Sequence, residues 1–102
     1  MEQENWRTGD TSFTGILGDS PTVKLWEFLL IGRNYEYHVK DLARGANISR
    51  PTCYVELRKF LKKGLVAKGG KSRGKQLYKL NQESPAVKAI LDAFNYILYK
   101  AK

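Results

Sequence analysis

The side chains with most to offer a ligand lie between residues 50 and 63, and their chemistry is recognition rather than bond making. Pro51, Thr52, Val55, Arg58, Lys59 and Lys62 recur at intervals that gather them on one face of a helix that Arg50 opens. Cys53, Leu57, Phe60 and Leu61, at i, i+4, i+7 and i+8, predict a buried stripe opposite. An arginine can grip a guanine edge through two parallel hydrogen bonds, while threonine and valine can meet a thymine methyl group. Arg50, Thr52 and Val55, nearest the helix start, are the candidates for base edges. Arg58 suits either a base or a phosphate, and Lys59, Lys62 and Lys63 suit phosphates. The bland alternative for the lysines is a solvated face. Ser49 is a helix cap, and with the first backbone amides it could also hold a phosphate. Tyr54 reads equally well as core edge or phosphate contact. Cys53 reads as core filler, since it lies on the apolar stripe.

A second basic stretch follows at once. Lys68, Lys71, Arg73 and Lys75 sit among Gly64, Gly69, Gly70 and Gly74. Such a segment can follow a phosphate backbone or enter a minor groove, where Arg73 would favour narrow A·T-rich stretches. Its glycines lack P-loop spacing, so nucleotide triphosphate chemistry of that type is not indicated. The chain carries +8 overall, and residues 50–75 hold nine Lys and Arg against the single acid Glu56, so the whole excess sits in that quarter. A solubilising charge would be scattered; a concentrated one attracts polyanions and releases their counterions.

Other chemistries find little support. The only histidine, His38, has no nucleophile or paired acid in its sequence neighbourhood, and no metal-ligand spacing occurs. The chain therefore reads as a non-enzyme without cofactor or metal. One cysteine, Cys53, excludes a disulfide within the chain and fits a reducing cytoplasm. The longest apolar run, Phe28-Leu29-Leu30-Ile31, falls far short of the roughly 20 residues that span a bilayer. No membrane partner is expected, and the location reads as cytoplasmic.

The elements that must position these residues can be read from caps and periods. Residues 1–18 read as an extended arm, with Trp6, Phe13, Ile16 and Leu17 available to pin it. Ser20-Pro21 announces a first helix carrying Val23, Trp26, Leu29 and Leu30 inward, which Gly32 ends. Residues 33–38 connect, with room for a short extended piece. A short helix over 39–45, a turn at Gly45-Ala46-Asn47-Ile48 and a helix over 50–63 stopped by Gly64 come next. Residues 65–68 and 76–80 predict a hairpin around a flexible loop at 69–75. Ser84-Pro85 opens a last helix, 85–100, on which Val87, Ile90, Leu91, Phe94, Ile97 and Leu98 make a broad apolar face with near-heptad spacing. The architecture is α+β and mainly α, one domain over residues 19–102.

Three stretches carry a family resemblance: Lys40-Asp41-Leu42-Ala43, Ile48-Ser49-Arg50-Pro51-Thr52-Cys53-Tyr54, and Phe60-Leu61-Lys62-Lys63-Gly64-Leu65-Val66, with Leu77 to Asn81 as a returning strand. Through them the chain resembles winged helix-turn-helix transcriptional regulators of the MarR- and ArsR-like kind, and looks particularly like small archaeal members. The resemblance implies a two- or three-stranded antiparallel wing, a DNA role for Ser49, Arg50, Pro51 and Thr52 and for the wing tip Lys71, Ser72 and Arg73, and dimeric binding to a palindromic operator. The Cys/His cluster of the metal-sensing relatives is missing, and so is a long N-terminal dimerisation helix. Dimerisation then falls to the last helix, whose face (Val87, Ile90, Leu91, Phe94, Ile97, Leu98) could form a seam across a two-fold axis or else complete the monomer core. The expected partners are double-stranded DNA and a second copy of the chain; RNA or an acidic protein partner remain the alternatives.

Overall fold

The computed structural model describes residues 13–100 of the chain. In order these form α1 (Phe13–Leu17), α2 (Pro21–Ile31), α3 (Val39–Ala46), α4 (Arg50–Lys62), β1 (Val66–Ser72), β2 (Lys75–Leu80) and α5 (Pro85–Lys100). The architecture is α+β and mainly helical, with one two-stranded antiparallel sheet.

The helix starts follow from local chemistry. The Ser20 hydroxyl accepts the Val23 N–H at 3.3 Å, and Pro21 occupies the first turn, where its missing donor costs nothing. Ser49 repeats the arrangement, accepting the Thr52 N–H at 3.2 Å ahead of Pro51. Between α3 and α4 the chain reverses at Asn47, which adopts the left-handed conformation (φ 59°, ψ 49°) and returns its N–H to the Ala43 and Arg44 carbonyls. Gly45, expected in the turn, lies within α3. Its reason for being glycine is steric, because a Cβ there would enter the Phe28 ring.

Two further expectations are corrected. Residues 13–17, assigned to an extended arm, are helical, because Phe13 is buried and sets its ring edge-on to Phe94 at 5.5 Å. The rest of that arm, with Trp6, lies outside the described residues. The loop expected at 69–75 is strand almost throughout. The ladder runs on to Ser72 opposite Lys75, and only Arg73 (φ 54°) and Gly74 (φ 76°) turn the chain. Two successive positive φ angles make the tight hairpin turn whose twist matches that of the strands. The register slips between Lys68 and Lys71, where Gly69 and Gly70 sit, and the Gln76 side-chain amide donates to both glycine carbonyls, at 2.9 and 3.1 Å. The short extended piece also exists: Tyr37 exchanges two backbone hydrogen bonds of 2.8 Å with Tyr78.

The core centres on α2, whose Leu25, Leu29 and Leu30 are fully buried, and which packs against α1, α3, α4 and β2. Leu42 of α3, Leu57 and Phe60 of α4, and Val66 and Leu80 of the strands close over it. On α5, Val87 and Phe94 are spent in this same core. They face inward, Phe94 against Phe13, and so offer no surface to a second copy. Ile90, Leu91 and Ile97 are half-buried against the core, and Leu98 is 40% exposed. Among the described residues no helix is long and apolar enough to cross a membrane.

Candidate nucleic-acid interface

The first turns of α4 and the tip of the hairpin open onto one cleft of about 670 Å³. From α4 come Arg50 and Tyr54, one turn apart. From the hairpin come Ser72, Arg73 and Lys75, with Gln76 and Tyr78 behind them, and the start of α3 supplies Lys40. Four cationic side chains thus surround a cleft that no carboxylate lines.

The connector before α3 holds the hairpin at this angle through three contacts. The Gly70 N–H donates to the Glu36 carboxylate at 2.9 Å. Tyr37 pairs with Tyr78. His38 Nε2 lies 3.3 Å from the Ser72 carbonyl oxygen, while its Nδ1 faces the Asp41 carboxylate at 3.8 Å. On the other side, the Cys53 thiol donates to the Val39 carbonyl at 3.9 Å and ties α4 to α3. Burial pushes the thiol pKa upward, with the Glu56 charge adding to the effect, so Cys53 is a neutral core group.

Glu56, the lone acid of residues 50–75, is not on the exposed face. It is 6% exposed, accepts the Thr22 hydroxyl at 2.7 Å and sits 3.4 Å from the Lys59 ammonium. Withdrawing this carboxylate leaves the outer side of α4 without a negative charge, and Val55, Arg58, Lys59 and Lys62 are exposed along it.

The sequence-derived residues therefore divide. Arg50, Ser72, Arg73 and Lys75 are brought together in the cleft. Ser49, Pro51 and Val55 are exposed beside it, and Arg58, Lys59, Lys62 and Lys71 are exposed outside it. Thr52 is half-buried and accepts the Ser49 hydroxyl at 2.9 Å, so its own hydroxyl is already engaged in the cap. Tyr54, left open between core edge and ligand contact, is 47% exposed and lines the cleft. Its spacing of four from Arg50 was the available signal. Lys40, His38, Gln76 and Tyr78 were missed, since only the packing of α3 and the hairpin brings them here. Among the described residues no group of three His, Cys, Asp or Glu side chains could hold a metal ion.

No protein-family model, curated protein or solved structure matches this chain.

Proposed function

We propose that this protein binds specific sites on double-stranded DNA as a winged helix-turn-helix transcriptional regulator, acting as a dimer. In this reading α4 enters the major groove, α3 braces it, and the β1–β2 hairpin is the wing, set against the backbone or the minor groove. Arg50, Val55 and Arg58 meet base edges, Ser49, Lys59, Lys62 and Lys71 meet phosphates, and Arg73 probes the groove. The observation that carries the reading is the shared cleft: the positive end of α4 and the positive hairpin tip face the same side, with no carboxylate lining the space between them and the only acid of residues 50–75 buried. Opposite-facing elements could not grip a single duplex.

The test selects a binding site from random duplexes and then titrates it at several salt concentrations. Affinity should fall steeply with salt, the logarithmic slope being about −0.9 per phosphate contacted. Arg50→Ala and Arg58→Ala should each cost about 1–3 kcal/mol on the selected site and relax base preference there. Lys71→Ala should weaken all duplexes alike and flatten the slope by about 1. Unchanged affinity in all three variants, or tighter binding to structured RNA than to duplex, overturns the assignment.

A further inference from the structure

The cleft holds more than a duplex can use. Its volume of about 670 Å³ falls within the roughly 300–1,000 Å³ of small-molecule sites. Its walls are of two chemistries. Tyr54 stands 47% exposed on one side and Tyr78 half-buried on the other, while Arg50, Arg73 and Lys75 surround them with positive charge. Paired, stacked bases offer a protein only their edges and the phosphates outside them, which engages the cations and leaves the aromatic faces idle. An unpaired base with its phosphate engages both, by stacking on a ring and by charge-assisted hydrogen bonds to guanidinium and ammonium groups.

We propose that the cleft between α4 and the hairpin binds a nucleoside phosphate, free or as an unpaired nucleotide at the end of a strand, with its base against Tyr54 and its phosphate among Arg50, Arg73 and Lys75. This goes beyond duplex binding and does not rest on it. If both hold, the two ligands compete, because Arg50 and Arg73 serve each, and a free nucleotide then releases the duplex.

The experiment follows the backbone amides of the full chain by NMR while adenosine monophosphate is added, with inorganic phosphate and adenosine as separate arms. Adenosine monophosphate should shift residues around Tyr54, Ser72 and Arg73. It should bind about 5- to 150-fold more tightly than phosphate, the gain from stacking one base. Tyr54→Phe keeps the ring and should keep that advantage. Tyr54→Ala should erase it while leaving phosphate binding unchanged, and Arg73→Ala should weaken both. Equal binding of the mononucleotide and phosphate, or shifts confined to another surface, overturns the proposal. A blunt duplex and the same duplex bearing one unpaired 5′-phosphorylated nucleotide separate the two sources. Preference for the overhang assigns the strand end, and equal binding assigns the free nucleotide. Loss of blunt-duplex binding alone would count against the regulator reading and leave this site standing.

Discussion

Arg73 is the residue where conformation and charge pull apart. Its φ of 54° is one that an arginine adopts at a cost of roughly 1–2 kcal/mol and a glycine adopts freely. A turn selected for stability alone would carry Asn-Gly or Gly-Gly, so the arginine points to a use for its charge. Arg73→Gly should accordingly leave the melting temperature unchanged or raise it, while weakening duplex binding by about 1 kcal/mol or more. A variant that loses stability and keeps affinity would make the side chain structural. Cys53 and Tyr37 act on stability through protons instead. Burial raises both pKa values above their ordinary 9.0 and 10.0, helped by the Glu56 charge at the thiol and by Tyr35 at the phenol. Above those ordinary values the unfolded chain has released protons that the folded chain still holds. The stability these groups contribute is thus complete below pH 9 and is lost as pH rises through the folded-state values. Urea midpoints should fall as pH rises above about 9, and Cys53→Ala should shallow the first part of that fall; a rising midpoint would contradict the linkage.

At the scale of elements, the α2–α3 crossing depends on a missing methyl group. The half-buried Phe28 ring lies over the exposed Gly45 and packs against Tyr37, with ring centroids 4.9 Å apart, so a new Cβ must push it out of that packing. Alanine is favoured over glycine in a helix by about 1 kcal/mol, yet a methyl group that displaces a packed aromatic ring costs about 1–3 kcal/mol. The clash prevails, and Gly45→Ala should lower the melting temperature by several degrees. Trimming the obstacle with Phe28→Leu should reverse the sign of the alanine effect; an additive loss would show that the ring is not the obstacle. This crossing also marks what the sequence could reveal. The helix starts at Ser20-Pro21 and Ser49, and the stop at Gly64, were legible because caps act within one turn of the chain. The inward stripe of α4 was legible because its period is local. The burial of Glu56 was not, since its hydroxyl partner Thr22 is 34 residues away. The hairpin was legible, but its extension through residues 69–72 was not, for the same reason: Glu36 and Gln76 supply the hydrogen bonds that let Gly69 and Gly70 continue the strand. Half the cleft belongs to α3 and β2, so its existence could not be inferred from residues 50–75 alone.

The whole molecule bears on how two copies could share one DNA site. With Val87 and Phe94 committed to the monomer core, the apolar surface left to α5 includes the exposed Tyr96 and Leu98 and the half-buried Ile90, Leu91 and Ile97. The packed helix α1 adds the exposed Ile16 and Leu17. A seam with so few exposed apolar side chains should let the dimer dissociate on dilution and form more completely on DNA. Two half-sites about 34 Å apart, one helical turn, would then fill together. Leu98→Glu places a charge in the seam without touching the core or the basic face. It should yield a monomer by sedimentation and abolish cooperative filling of a two-half-site duplex, with affinity for a single half-site unchanged. Half-site affinity is the control that separates seam from fold, because a misfolded variant would lose it as well. A Leu98→Glu protein that still sediments as a dimer would move the contact between copies away from α5, and one that is monomeric yet fills both half-sites together would transfer the cooperativity to the DNA.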